Sequence, residues 1–241
     1  MNSLKISKKQ ILYIVLLSVF VLSTAVLSAL LIIKPNNTTD LSYYEKKCNV
    51  FEIENANFSH GQIVFIGDSI TDGCALNDYY KNLPLAVYNR GIGGDTTSGV
   101  LERLKLSLFD IKPSKIVMLI GINDINGSIS NEKILSNYRE ILSEISENLP
   151  DAEVICVSVL PVNLDLESYT LINVKKSNDA ILDINLKIKS LALEFGYHFA
   201  DLHNDFTDEN GLLRKELSPD GIHLNADGYK LYSSKINPLL F

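Results

Sequence analysis

Short apolar runs alternate with helical patterns from Gln62 to the end of the chain. Five of these runs have the length of strands and are bounded by turn residues. The predicted strands are QIVFI (62–66), LAVYN (85–89), KIVMLI (115–120), EVICVSV (153–159) and YHFADL (197–202).

Apolar side chains at helical spacing fill two of the segments between these strands. One stripe comprises Ile134, Leu135, Tyr138, Ile141, Leu142 and Ile145, and the other comprises Ile181, Ile184, Ile188, Leu191 and Phe195. A last helix is predicted from about Ala226 to Asn237. Strands that alternate with helices predict an α/β fold of three layers, a doubly wound, flavodoxin-like sheet of five parallel strands in the order 2-1-3-4-5. A site is then expected at the carboxyl ends of the strands, near strand 1.

A different pattern occupies the amino terminus, where residues 11–33 contain no charged side chain. As a helix these residues would reach about 34 Å, enough to cross the hydrocarbon layer of a membrane. Lys5, Lys8 and Lys9 precede the run, so residues 1–10 are predicted to be a cytoplasmic basic segment and 11–33 a transmembrane signal anchor. A cleaved signal peptide, which would leave a secreted protein, is the alternative. Residues 34–58 are predicted to be a stalk, and 59–241 the domain, outside the cytoplasm.

Charge and cysteine content remove several function classes. The chain carries a net charge of −7, which gives no electrostatic footprint for nucleic acid. The three cysteines, Cys48, Cys74 and Cys156, form no CxxC and no spacing suited to zinc, so no metal is expected. They allow at most one disulfide, and Cys156 is predicted to lie in the core.

Candidate chemistry begins in FIGDSITDG, where a strand ends at Gly67 and a helix can start. Ser69 at this corner has two interpretations, as a helix cap or as a nucleophile displayed at the top of the sheet. Near the carboxyl end, SPDGIHLNADGY supplies Asp220 and His223, three residues apart. That spacing lets a carboxylate hold the imidazole tautomer while the other ring nitrogen acts as a general base.

Acyl transfer requires this combination, because a serine hydroxyl attacks only when a base takes its proton, and the resulting oxyanion needs preplaced donors. The loops after strands 2 and 3 flank strand 1 in the predicted order. Three donors are therefore candidates for an oxyanion hole: the Ser69 N–H, the Gly94 N–H and the Asn123 side-chain amide.

Four ordered blocks resemble the SGNH or GDSL-type hydrolases: GDSIT with Ser69, GIGGDT with Gly94, GIND with Asn123, and DGIH with Asp220 and His223. The second block is most similar to that of the platelet-activating-factor acetylhydrolase-like members. The resemblance implies a serine esterase or lipase that needs no cofactor and no metal. It also implies a Ser69, His223 and Asp220 triad, with Ser69, Gly94 and Asn123 at the oxyanion hole.

Three functions are therefore weighed. The first is a membrane-anchored, extracytoplasmic esterase that removes short acyl groups, such as acetyl, from a carbohydrate or lipid. The second is an O-acyltransferase that uses the same triad on a cell-surface glycan. The third is a catalytically silent binding module, which a broken triad would indicate. Ester substrates and the membrane are the expected partners, and nucleic acid is not.

Overall fold

Five parallel strands form a single sheet with the order β2-β1-β3-β4-β5, which confirms the predicted order. The computed structural model describes Lys9, residues 41–163 and residues 174–241, without the side chains of 174–176. The strands are β1 (Ile63–Gly67), β2 (Val87–Gly91), β3 (Lys115–Leu119), β4 (Glu153–Val157) and β5 (His198–Ala200). At their carboxyl ends Gly67 is in register with Gly91 on one side and with Leu119 on the other.

Alternate side chains along the strands point to opposite faces of the sheet, and each face has its own apolar core. Val64 and Ile66 belong to one core, while Ile63 and Phe65 belong to the other. The first core also contains both predicted helical stripes, and the second contains the carboxyl-terminal helix. The three layers therefore follow from apolar runs buried on both faces.

The main helices are α1 (Tyr43–Asn55), α2 (Ser69–Asp72), α3 (Leu76–Tyr79), α4 (Thr97–Glu102), α5 (Ile122–Asn126), α6 (Asn131–Asn148), α7 (Val174–Glu194), α8 (His203–Phe206) and α9 (Ala226–Ile236). A π-helical turn covers Lys105–Phe109, and 3-10 turns cover Lys215–Leu217 and Asn237–Leu239. The predicted stripes lie on α6 and α7, and the last helix ends one residue earlier than predicted.

Strand ends differ from the prediction by at most two residues. The second strand starts at Val87 and continues through polar residues to Gly91, two residues later than predicted. Its Asn89 and Arg90 are polar, and both donate hydrogen bonds to neighbouring segments, Asn89 to the Thr71 carbonyl and Arg90 to Glu54 and Asn55. The fifth strand is only three residues long, from His198 to Ala200.

The predicted stalk over 34–58 needs a correction where the structure describes it. Residues Tyr43–Asn55 form helix α1, and the compact unit that contains the sheet runs from Tyr43 to Phe241. The domain thus begins earlier than residue 59. Only Phe51 on α1 is buried, and the other anchors are polar contacts such as that of Arg90 with Glu54. Such long-range polar contacts leave no helical apolar period in the sequence.

Two further expectations concern the membrane and the cysteines. The predicted span at 11–33 lies outside the described residues, and none of the helices within the described part of the chain is both long and apolar enough to cross a bilayer. All three cysteines are free thiols, and Cys156 is buried in β4 as predicted.

Candidate active site

The corner after β1 presents Ser69 as the first residue of α2. The residue that caps this short helix is Asp68, whose Oδ1 accepts the Ile70 N–H at 3.0 Å. Gly67 is required just before it, because a Cβ there would lie 2.2 Å from the Leu119 carbonyl oxygen. The Ser69 hydroxyl is therefore not a cap, and its hydrogen-bond partner is a histidine.

Ser69, His223 and Asp220 form one hydrogen-bonded line. His223 Nε2 lies 2.9 Å from Ser69 Oγ, and His223 Nδ1 lies 2.6 Å from Asp220 Oδ2. Burial by itself would raise the pKa of Asp220, but the His223 ring and the backbone N–H groups of Ile222 and His223 together hold it below its ordinary value. An ionised Asp220 keeps the proton of the imidazole on Nδ1, so Nε2 is left to accept a proton from Ser69.

The loop that carries Asp220 and His223 is held by backbone contacts. Asp220 Oδ1 accepts the N–H groups of Ile222 and His223 at 3.0 and 2.8 Å. Gly221 has a φ of +85°, and a Cβ on it would lie 1.6 Å from the carbonyl oxygen of Asn163. In return the Asn163 N–H donates to the Gly221 carbonyl at 2.8 Å. Only glycine fits this position. The Asp220 carboxylate on one side and the Asn163 backbone on the other therefore hold Asp220 and His223 at their spacing.

The loops after β2 and β3 meet beside Ser69. Gly94 has a φ of +80°, and a Cβ built on the preceding Gly93 would lie 4.0 Å from Ser69 Cβ. Asn123, in the first turn of α5, donates its side-chain N–H to the carbonyl of Asp95 at 2.8 Å. An amide nitrogen has two N–H groups, so this bond orients Asn123 and leaves a second donor.

A buried polar network holds the same loops against the sheet. Arg103 binds the Asp95 carboxylate at 2.8 Å and also donates to the carbonyls of Arg90 and Gly67, where β2 and β1 end. Thr97 donates to Asp124 through both its N–H and its hydroxyl. Burial raises the pKa of Asp95, against the lowering effect of Arg103. These contacts fix the loops relative to the sheet.

Asp68 allows a prediction about pH and stability. Burial raises its pKa from 3.8 to about 7, although the Ile70 N–H opposes the shift. The folded carboxyl binds its proton more tightly than the unfolded one. It therefore costs no stability below about pH 4, and the cost grows to about 4 kcal/mol as the pH rises to 7. In Asp68→Asn the amide oxygen still caps Ile70, so we expect the variant's free energy of unfolding to exceed that of wild type increasingly over this interval.

Denaturant unfolding of both chains at pH 4, 5, 6 and 7 measures this difference. Asp151→Asn, an exposed change before β4, is the control and should follow wild type. Parallel pH profiles for Asp68→Asn and wild type would show that Asp68 folds with an ordinary pKa.

Several residues that build the site were not found from the sequence. Asp72 binds the Gly93 N–H at 2.9 Å, Arg103 joins Asp95 to the ends of β1 and β2, and Asn163 supports Gly221. Arg103 stands between Glu102 and Lys105, which are charged and exposed, so nothing in the sequence marks Arg103 as the buried one. Within residues 41–163 and 174–241, no group of acidic, histidine or cysteine side chains is arranged to hold a metal ion.

The matches to known proteins include the segments that form the candidate site. The profile of the GDSL-like lipase/acylhydrolase family matches residues 65–231. Rat platelet-activating factor acetylhydrolase IB subunit alpha2 is 29% identical over 182 residues, which cover 74% of this chain and 75% of the relative.

Solved structures have the same fold. A Streptococcus pneumoniae protein whose description refers to platelet activating factor superimposes with a TM-score of 0.76 at 30% identity, over 83% of this chain and 93% of that protein. An acetyl-xylooligosaccharide esterase from Geobacillus superimposes with a TM-score of 0.61 at 20% identity, over 76% and 96%. The second likeness concerns the fold alone.

Proposed function

This chain belongs to the GDSL-like lipase/acylhydrolase family and is a serine ester hydrolase, and we propose that it is a membrane-anchored, extracytoplasmic esterase that removes short acyl groups from a carbohydrate or lipid. The observation that carries the proposed chemistry is the line of hydrogen bonds from Ser69 through His223 to Asp220.

In the proposed mechanism Ser69 Oγ attacks the ester carbonyl while its proton passes to His223 Nε2. The tetrahedral oxyanion is stabilised by the N–H groups of Ser69 and Gly94 and by the Asn123 amide. His223 then gives its proton to the alcohol oxygen, the carbon–oxygen bond breaks, and an acyl-enzyme remains. Water attacks that ester with His223 as the base, which releases the carboxylic acid and restores the Ser69 hydroxyl. Asp220 orients His223 and stabilises its charged form.

Small and polar residues beside Gly94 support a short acyl group or a hydroxyl-rich substrate. A hollow next to Gly94 is lined by Thr96, Ser98, Glu102 and Tyr44, among others. Such a lining offers hydrogen bonds to sugar hydroxyls, and the described residues that form it include no leucine, isoleucine, valine or methionine side chain against which a long acyl chain would pack. The rat relative and the Geobacillus fold neighbour are both named for the acetyl group.

Support for the anchor comes from the sequence. The charge-free run of 23 residues at 11–33 is longer than the apolar region of a signal peptide, which is about 7 to 15 residues. The lysines before it favour a cytoplasmic amino terminus, with the domain on the other side of the membrane.

Hydrolysis of a chromogenic ester series by the full chain tests the proposed substrate class. We expect the activity in the membrane fraction of expressing cells. After detergent purification, kcat/KM should be highest for the acetate ester and should fall at least about tenfold by the octanoate, because the described lining of the hollow offers added methylenes no leucine, isoleucine or valine side chain to pack against.

The control for this series is spontaneous hydrolysis of each ester at the same pH and detergent concentration. A maximum at octanoate or longer would contradict the short-acyl proposal. If an added polysaccharide acquires the acetyl group faster than acetate appears, the enzyme is an O-acyltransferase with the same site.

A further inference from the structure

The carboxylate of Asp72 joins helix α1 to the loop that contains Gly94. Lys47 Nζ lies 2.7 Å from Asp72 Oδ1, and the Tyr43 hydroxyl donates to Oδ2 at 2.6 Å. The same Oδ2 accepts the Gly93 N–H at 2.9 Å. We call these four residues the Asp72 junction. Asp72 itself lies three residues after Ser69, at the end of α2.

Two consecutive glycines make the loop at the Asp72 junction dependent on external support. Gly93 and Gly94 have wide backbone freedom, and Gly94 uses it with a positive φ. Asp72 holds the N–H of Gly93. On the other side of the turn, the Asp95 N–H donates to the Ile92 carbonyl at 3.1 Å. The Asp95 side of the loop is held by Arg103 and Asn123, so the direction of the Gly94 N–H depends on the Gly93 side, and thus on how firmly Asp72 itself is held.

Helix α1 holds Asp72 with one charge and one hydroxyl. The Lys47 and Asp72 side chains are 23% and 14% exposed, so the pair is partly shielded from water. The hydrogen bond to Asp72 raises the pKa of Tyr43 to about 12. The Tyr43 ring lies beside the loop, since a Cβ built on Gly93 would lie 3.4 Å from Tyr43 Cε1.

Charge provides a second reason for the lysine. Asp72 Oδ2 binds the N–H of Gly93, so a carboxylate is bound one residue before Gly94, whose N–H is a proposed oxyanion donor. Without Lys47 its negative charge would oppose the charge that develops on the substrate oxygen. Lys47 offsets that charge at the point where Asp72 binds the loop.

We propose that Lys47 and Tyr43 of α1 are positioning residues for the oxyanion hole, which they support through Asp72 and the Gly93 N–H. This inference rests on the esterase mechanism proposed above, and it adds that the helix before the sheet completes the active site. Neither residue touches the reacting atoms. Their effect should therefore fall on kcat more than on KM.

Lys47→Met in the full chain tests the proposal. We expect kcat for the acetate ester to fall roughly tenfold with KM changed less than about twofold. Tyr43→Phe should give a smaller fall in kcat, and Lys47→Arg should keep at least about half of the wild-type kcat, because a guanidinium also binds the carboxylate. Lys189→Met, an exposed lysine on α7, is the matched control and should equal wild type.

A double-mutant cycle shows whether the effect passes through Asp72. In Asp72→Asn the amide oxygen can still accept the Gly93 N–H, but no charge needs neutralising. Lys47→Met should then cost less in this background than in wild type. Equal costs in both backgrounds would mean that Lys47 acts elsewhere and would overturn the proposal.

Hydrogen exchange gives a readout that does not depend on turnover. In Lys47→Met the amides of 92–95 should exchange faster, while those of β3 and β4 remain as protected as in wild type. Unchanged exchange at 92–95 overturns the positioning role whether or not the esters are cleaved. If wild type neither cleaves esters nor is labelled at Ser69 by a fluorophosphonate, the proposed function fails, and faster exchange at 92–95 would still support the junction.

Discussion

Ser69→Ala should lower kcat for the acetate ester at least about a thousandfold and leave the protein folded. The hydroxyl is the atom that would form the acyl-enzyme, and no other hydroxyl is hydrogen-bonded to His223 Nε2 among the described residues. The helix cap is Asp68, so removal of the Ser69 hydroxyl leaves the Ile70 N–H satisfied. We therefore expect a thermal midpoint within a few degrees of wild type.

Covalent labelling gives this experiment a second measurement. A fluorophosphonate should add once to the wild-type chain, at Ser69, and should not add to Ser69→Ala. Ser234→Ala, an exposed change on α9, is the control and should match wild type in both labelling and rate.

Substitutions of catalytic residues that act together in one step do not have additive effects on the rate. Adding His223→Ala to Ser69→Ala should therefore cost little further activity. A Ser69→Ala enzyme that retains more than about a tenth of the wild-type kcat would show that Ser69 does not attack the ester.

The sequence predicted those parts of the fold that depend on buried apolar runs. Both helical stripes could be predicted because an apolar period records which face of a helix is buried, and the strand order followed from the alternation of strands with helices. Helix α1 could not, because it is held mainly by polar contacts with residues such as Arg90 and Asp72, which lie 36 and 25 positions further along the chain from their α1 partners. Pairings over such distances depend on the tertiary structure.

In the candidate site, too, contacts between residues close in sequence could be predicted and contacts between distant residues could not. Asp220 and His223 are three residues apart, so their contact could be predicted from local spacing. The supports of these residues could not, since Gly221 requires glycine because of its positive φ and because Asn163 packs against it. The sequence of FIGDSITDG also left Ser69 open between cap and nucleophile. That choice depended on Asp68 capping α2 and on a histidine 154 positions away.

Asp220→Asn should lower kcat by roughly a thousandfold or more with little change in KM. The asparagine oxygen can keep the N–H groups of Ile222 and His223, which places its NH2 group towards His223 Nδ1. Nδ1 must then accept a hydrogen bond, so the ring proton moves to Nε2, where it faces Ser69 Oγ and cannot receive the serine proton. The measurement is steady-state hydrolysis of the acetate ester, with Asp151→Asn as the matched control.

Stability gives Asp220→Asn a second, independent readout. The pKa of Asp220 is lowered in the folded protein, so its carboxylate stabilises the fold above the ordinary aspartate pKa and loses that effect as the pH falls through the lowered value. The variant should therefore be less stable than wild type at neutral pH, and the difference should shrink in acid. If Asp220→Asn kept both the wild-type kcat and its stability at neutral pH, His223 would be oriented without the carboxylate. The catalytic unit would then be a serine and histidine pair, and the hydrogen bond at 2.6 Å would contribute to neither catalysis nor folding.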